Sequence, residues 1–145
     1  MQWDEWWSRD RDVAPTDEPS EELNRLSHAV IGAAMAVHTE LGPGHLESSY
    51  ERALHLELTA RGIPFVKRPR VVIAYRGEPV GESELDLIVD GKLIVELKAV
   101  EALGPIHKAQ VIAYLKATGL ELGLLINFNV THLKHGIRRI ANSRQ

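Results

Sequence analysis

The chain has 145 residues, of which 44% are hydrophobic and 26% are charged, and these values are typical of one soluble globular domain. It has no run of about 18 apolar residues and no apolar signal core near the N-terminus, so we expect neither a membrane span nor secretion. The absence of cysteine excludes disulfides, thiolate zinc sites and iron–sulfur clusters, and it fits a cytoplasmic location.

The net charge of −3 is unevenly distributed along the chain. Residues 1–22 carry eight acidic and two basic side chains, a charge of −6, so the remainder of the chain has a charge of +3. A basic remainder favours binding to the phosphate backbone of nucleic acid. The alternative is an ordinary solvated surface of mixed charge.

Residues 1–19 are acidic and contain two prolines, and they predict a flexible tail ahead of one domain that spans residues 20–145. The three tryptophans of the chain, Trp3, Trp6 and Trp7, would share one face of a short helix in this tail. Such a face could dock on the domain, on a protein partner or on a second copy of the chain. The alternative is a frayed terminus that binds nothing.

Two helices are predicted first. Ser20 is a capping residue followed by two acids, and apolar residues then recur every three or four positions as far as Leu41. Gly42-Pro43-Gly44 ends this helix. A second helix is predicted over residues 45–61, and Gly62 ends it.

Strand patterns follow the two helices. Residues 71–75 predict a strand and residues 77–81 a turn, and two further strands over residues 85–89 and 93–97 flank Asp90-Gly91, a hairpin signal.

The C-terminal part predicts one helix and one or two strands. A third helix is predicted over residues 105–118, because Pro105 suits a first turn and Gly119 a C-terminus. Residues 122–128 predict a strand buried on both faces, and residues 133–140 are ambiguous, with an edge strand favoured. The order ααβββαβ(β) predicts an α/β fold with a central mixed β-sheet flanked by helices.

Charged residues in the predicted hairpin are candidates for catalysis. Glu96 and Lys98 are two residues apart in a strand and therefore share one face. A two-residue loop would pair residue 89 with 92 and place Asp86 on the other face. A three-residue loop would pair residue 88 with 92 and place Asp86 and Glu96 on the same face. Asp90-Gly91 permits both loops.

On one face, two carboxylates and an ammonium group would suit Mg²⁺ or Mn²⁺, which prefer oxygen ligands. Such an ion activates water and neutralises charge on a phosphate, and Lys98 could position that water or stabilise the transition state. The alternative is a salt bridge at a strand edge, with Lys98 in solvent.

Helical positions add further candidates. Glu47 begins an apolar stripe on the second helix, so it is predicted on the buried side, where a carboxylate needs a partner or a metal. The alternative is an exposed acid that suits the helix dipole. Gln110 and Tyr114 share a face of the third helix and could bind phosphate or orient Lys98, or else form a polar flank with Tyr114 partly in the core.

Lys108 and Lys116 lie on the same third helix. They could contact a nucleic-acid backbone, or they could simply be solvated.

A family resemblance joins these residues. Residues 44–50, Gly-His-Leu-Glu-Ser-Ser-Tyr, match the signature of the GxxExxY protein family, a branch of the PD-(D/E)xK nuclease superfamily. The resemblance spans about residues 23–140 and includes VHTELGPG at 37–44, VELKAV at 95–100 and LLINF at 124–128. It implies a restriction-endonuclease-like core that hydrolyses phosphodiester bonds of nucleic acid. The expected substrate is DNA and the expected cofactor is Mg²⁺ or Mn²⁺.

The resemblance also implies roles for single residues. Glu47, Asp86 and Glu96 would be metal ligands and Lys98 catalytic. Gln110 and Tyr114 resemble the QxxxY element of RecB-like and lambda-exonuclease-like members.

His38 falls within the family motif, and two interpretations stay open. It could support the metal site from the first helix, or it could be a structural histidine bonded to a backbone carbonyl.

A second hypothesis from a different functional class is a binding module, in which a nuclease fold recognises nucleic acid or a protein without cutting. The presence of every acid and of the lysine favours the enzyme.

Overall fold

The structure, a computed structural model, describes residues 19–142. The predicted tail therefore lies outside the described residues except for Pro19, and the docking of its tryptophans stays a prediction. Within residues 19–142, no helix is both long enough and apolar enough to cross a membrane.

Two helices that are consecutive in sequence begin the described chain: α1 spans Glu21–Leu41 and α2 spans Glu47–Ala60. The Ser20 side chain caps α1 by accepting a hydrogen bond from the Leu23 amide at 3.1 Å, as its position in the sequence predicts. Gly42, with a φ of 68°, ends α1 in a conformation that glycine adopts without strain.

Seven strands and a third helix complete the described chain. In chain order they are β1 (Phe65–Lys67), β2 (Arg70–Tyr75), β3 (Glu78–Glu84), β4 (Leu87–Val89), β5 (Leu93–Lys98), α3 (Pro105–Thr118), β6 (Leu122–Asn127) and β7 (Ile137–Ala141). A 3-10 helix, Leu133–Gly136, precedes β7.

The strands form two sheets. The main sheet has the order β1-β4-β5-β6-β7, with β5 and β6 parallel and its other neighbouring strands antiparallel. The pair β2-β3 forms a separate antiparallel hairpin. The predicted fold class, a central mixed sheet flanked by helices, is confirmed.

Several predicted boundaries were wrong. Strand β1 has only three residues, too few for a periodic pattern, and β3 occupies much of the predicted 77–81 turn. Strand β3 is mostly polar and contains Pro79, which lies where the β2–β3 register shifts. Of residues 133–140, only the second part is a strand, and it is the predicted edge strand β7.

Side-chain alternation along β5 divides the interior into two layers. Val95 and Leu97 face the core formed with α1 and α2, whereas Ile94 packs with α3 residues such as Val111. Helix α3 approaches the sheet closely at Gly123, where an added Cβ would lie 2.7 Å from Val111 Cγ1. Glu96 and Lys98 follow Ile94 by two and four residues in β5. Their side chains therefore point to the same face of the sheet as Ile94, the face on which α3 packs.

Tyr50, the tyrosine of the 44–50 signature, fixes the turn between α1 and α2. It is fully buried, its hydroxyl donates to the Gly42 carbonyl at 2.6 Å, and it accepts from the His45 amide at 3.1 Å. Its ring stacks on Phe128 with the centroids 4.6 Å apart. The turn that orients α2 therefore depends on one buried side chain.

We expect Tyr50→Phe to lower the free energy of unfolding by about 1–2 kcal/mol, because the Gly42 carbonyl and the His45 amide lose a partner while the stacked ring remains. Chemical denaturation measures this loss. Tyr75→Phe is the matched control, since Tyr75 is 68% exposed and should show no change. Equal stability of the Tyr50→Phe variant and the unmodified protein would contradict this account of the turn.

Candidate active site

The hairpin of β4 and β5 has a loop of odd length. Val89 pairs with Leu93, so the three residues Asp90, Gly91 and Lys92 form the loop. Asp90 and Gly91 have φ values of 51° and 65°. The three-residue loop considered in the sequence analysis would have paired residue 88 with 92. The observed register is shifted from that pairing by two residues, and a shift of two leaves every side chain on the same face of the strand. Asp86, which lies just before β4 and not within it, therefore falls opposite Glu96.

Asp86 and Glu96, called the carboxylate pair below, each accept a hydrogen bond from a backbone amide of the opposite chain segment. The Asp86 amide donates to Glu96 Oε1 at 2.8 Å, and the Leu97 amide donates to Asp86 Oδ2 at 2.7 Å. Asp86 is 9% exposed and Glu96 is 3% exposed. Each carboxylate is thus held in place by the neighbouring chain segment, and both lie in a mostly water-free environment.

The electrostatics of the carboxylate pair favour a neutral or cation-bound state. Burial, and secondly the charge of Asp86, raise the pKa of Glu96 to about 8. Burial also raises the pKa of Asp86, which the Leu97 amide partly opposes. The nearby Lys98 ammonium lowers the pKa of both acids. Near neutral pH, the pair therefore holds a proton unless a further cation compensates its charge.

Helix α3 presents Tyr114 to the carboxylate pair. Burial, followed by the charges of Glu96 and Asp86, raises the pKa of the Tyr114 phenol, so the phenol lies within electrostatic range of both acids. The Gln110 side chain hydrogen-bonds Tyr114 and lowers its pKa. The structure thus brings the two α3 positions and the hairpin positions to one region.

Glu47 is not on the buried side of α2, and that prediction was wrong. The buried stripe begins at Tyr50, one turn later, and the first turn of α2 is exposed. Glu47 nevertheless lies near the carboxylate pair, because partial desolvation and then the charge of Asp86 raise its pKa, while Lys98 lowers it.

The three predicted metal ligands do not form one compact cluster. Among residues 19–142, no group of three or more His, Cys, Asp or Glu side chains is arranged to hold a metal ion. What the described residues supply is a pair of buried carboxylates, with Glu47 exposed at the start of α2. Mg²⁺ commonly binds through one or two carboxylates, with waters and substrate phosphate completing its shell, so the donor set fits such an ion.

Three remaining candidates lie elsewhere on the fold. His38 Nε2 is 2.8 Å from the Val130 carbonyl oxygen, as in the structural interpretation of this histidine, and its ring lies near Phe128. Lys108 and Lys116 are exposed on α3.

The sequence patterns missed Arg68 and Glu51, which lie beside Asp86. Arg68 Nη2 is 2.6 Å from Glu51 Oε1, and the Arg68 amide donates to the Asp86 carbonyl at 2.8 Å. The charges of both residues act on Asp86. The one sequence feature that could have pointed to them is the position of Glu51, one helical turn after Glu47 and therefore on the same helix face. The contact with Arg68 depends on how α2 packs beside β1.

Comparison with protein-family models agrees with the fold. A family model described as the PD-(D/E)XK nuclease superfamily matches residues 24–140. A solved structure, the alkaline exonuclease LHK-Exo from Laribacter hongkongensis, aligns over 96% of this chain and 82% of its own, with 12% identity and a TM-score of 0.47. No curated protein sequence matches the chain significantly.

We expect the metal-free protein to lose stability as pH rises. A folded-state pKa of about 8 against a reference of 4.5 means that folding favours protonated Glu96, so this stabilisation is complete below about pH 4.5 and is lost towards about pH 8. Thermal unfolding in EDTA across this window should show a falling melting temperature. Glu96→Gln should flatten most of the fall and be the more stable protein at the alkaline end.

Glu57→Gln is the matched control, since Glu57 forms a solvent-accessible ion pair with Arg61 on α2. This variant should keep the full decline with pH. A decline that is unchanged in Glu96→Gln would show that the carboxylate pair is not its cause.

Proposed function

Because the chain belongs to the PD-(D/E)XK nuclease superfamily, we propose that it hydrolyses phosphodiester bonds of DNA with Mg²⁺ or Mn²⁺ as cofactor. The observation that carries this proposal is the buried carboxylate pair, held by reciprocal backbone hydrogen bonds beside Lys98. A simple scaffold gains nothing from two desolvated acids in contact, because burial raises the pKa of both and the charge of Asp86 further raises the pKa of Glu96.

The carboxylate pair would hold the divalent ion. Asp86 and Glu96 each use one oxygen to accept from a backbone amide, and a bound ion would be held by the remaining capacity of the two carboxylates. When bound, the ion supplies Lewis-acid activation of water and of the phosphate group. Glu47, at the start of α2 and within electrostatic range of Asp86, would add a third carboxylate near the same ion.

Other residues would act on the substrate directly. The Lys98 ammonium, close to both acids, would stabilise the negative charge that develops on the phosphate. Tyr114 and Gln110 would hold a phosphate oxygen or orient Lys98 from α3. Lys108 and Lys116, exposed on the same helix, would contact the phosphate backbone further along the strand.

The 44–50 signature and the LLINF segment support a finer assignment to the GxxExxY family. Tyr50 and Phe128, one from each segment, stack on each other in the core. This contact between the two motifs is what supports the assignment.

A binding module without cleavage is the second candidate. One observation favours it: within residues 19–142, no three acidic or histidine side chains converge as they stand. The two functions differ in whether the carboxylate pair and Lys98 are needed for turnover or are dispensable.

We expect the purified protein to cleave labelled DNA with Mg²⁺ or Mn²⁺ and to be inactive in EDTA. Asp86→Asn and Glu96→Gln should abolish cleavage, because each removes a ligand, yet leave the metal-free fold at least as stable. Lys98→Ala should lower kcat by about a hundredfold or more while metal still raises the melting temperature. Gel analysis of labelled single- and double-stranded DNA and RNA measures the activity.

The control for Lys98 is Lys92→Ala, which removes an exposed lysine from the loop at the other end of the hairpin, where it pairs with Glu22. This variant should keep full activity. DNA binding without cleavage, unchanged in all three site variants, would overturn the enzyme and support the binding module.

We expect DNA binding to weaken steeply as salt rises. Lys108→Ala and Lys116→Ala should each lower affinity about equally for unrelated DNA sequences, because phosphate contacts carry no base information. Each should also reduce the slope of log affinity against log salt by about 1. Fluorescence anisotropy with two unrelated oligonucleotides measures both effects, and Lys92→Ala is again the control. Salt-independent binding would instead indicate a protein partner.

A further inference from the structure

A small cavity of about 230 Å³ opens beside the carboxylate pair. Glu47, Ser48, Glu51 and Arg68 line it. The Arg68 amide donates to the Asp86 carbonyl at 2.8 Å, so the cavity lies next to the backbone of Asp86. It is therefore a candidate extension of the site along the path of a substrate.

Arg68 is held in this cavity from three directions. Its amide donates to the Asp86 carbonyl at 2.8 Å, and its guanidinium contacts Glu51 at 2.6 Å and Glu84 at 3.2 Å. Its φ of 56° is left-handed, a conformation that costs a non-glycine residue free energy and is concentrated at functional sites. The backbone and two carboxylates thus fix the direction of one side chain.

The guanidinium retains capacity for another partner. Its side chain is 52% exposed, although two carboxylates contact it. A guanidinium has five N–H donors, and the hydrogen bonds to Glu84 and Glu51 use two of them. The donors that remain can hydrogen-bond an anion such as a phosphate.

The charge around the site shows why such a contact is needed. A phosphodiester strand must approach a region that contains Asp86, Glu96, Glu47 and Glu51, and it carries one negative charge per phosphate. Lys98 compensates from the β5 side of Asp86. Arg68 lies on the opposite side, because β4 runs between β1 and β5 and the Arg68 amide is bonded to Asp86 from the β1 direction.

We propose that Arg68 binds the phosphate next to the scissile one, and that Glu51 is the residue that positions it. This inference rests on the proposed function, since it requires a nucleic-acid strand across the carboxylate pair. Lys98 and Arg68 then flank the strand, one at the cleaved phosphate and one at its neighbour. The Arg68–Glu84 contact further restricts the guanidinium from the β3 side.

The test compares Arg68→Gln and Arg68→Lys with Arg70→Gln. Arg70 is a matched control two residues away, exposed and paired with Glu82 and Glu84 on the β2–β3 hairpin. Binding of a fluorescent DNA oligonucleotide is measured by anisotropy at several salt concentrations, in the Lys98→Ala background, where turnover is slow. Cleavage kinetics are measured without the Lys98 substitution.

Arg68→Gln should weaken binding about tenfold and reduce the salt slope by about 1, because one charged phosphate contact is lost. Arg68→Lys should keep the slope and lose part of the affinity, since a lysine retains the charge without the fork geometry. In cleavage assays, KM should rise more than kcat falls. Arg70→Gln should change none of these quantities.

Glu51→Gln tests the positioning role separately. If Glu51 acts through Arg68, the double variant Glu51→Gln/Arg68→Gln should bind no more weakly than Arg68→Gln alone. Additive losses would show that Glu51 has a role of its own, and would overturn its assignment as the positioning residue.

Each outcome separates this inference from the nuclease proposal. Metal-dependent cleavage with unchanged binding and KM in Arg68→Gln and Arg68→Lys overturns the inference alone. Binding that depends on Arg68, in a protein that never cleaves, overturns the nuclease and leaves the phosphate contact in place. A protein that neither binds nor cleaves DNA or RNA overturns both. Circular dichroism of the variants checks that they fold, and Arg68→Lys retains a cation for both ion pairs.

Discussion

The site depends on the reciprocal hydrogen bonding of Asp86 and Glu96. Two carboxylates in a desolvated place repel each other, and the arrangement is tolerated only where hydrogen bonds, a proton or a cation compensate the charge. Here each acid accepts from an amide of the opposite segment, so the hairpin itself supplies the compensation. Any change of register by one residue would turn one acid to the other face of the sheet. The odd-length loop at Gly91 is therefore a requirement of the site and not a detail of the turn.

Alternate side chains of β5 point to opposite faces of the main sheet. In β5, alternate residues face the core under α1 and α2, whereas the intervening Glu96 and Lys98 face α3. Asn127 secures the chain just beyond Lys98: its Oδ1 accepts from the Val100 amide at 3.0 Å, and its Nδ2 donates to the Val100 carbonyl at 2.9 Å. The end of β5 is consequently held by a neighbouring parallel strand as well as by its own ladder.

Local signals predicted the helices and most strands, and contacts distant in sequence account for what was missed. Ser20 and Gly42 bound α1 because capping and termination are properties of a few adjacent residues. The shared face of Asp86 and Glu96 stayed open, since Asp90-Gly91 is compatible with loops of either parity. Arg68 could not be assigned at all, because its partner Glu51 lies 17 residues earlier on a helix. The exposure of Glu47 follows from where α2 meets the core, which periodicity alone does not locate.

The buried hydroxyl of Tyr50 has a consequence for how related chains are recognised. Its contacts are with the α1–α2 turn and with Phe128, and none of them is with the carboxylate pair. The glycine and tyrosine of the signature thus report a way of joining two helices over a sheet. None of the contacts that make this joint involves the side chains at positions 86 and 96, so the signature by itself carries no information about the carboxylate pair.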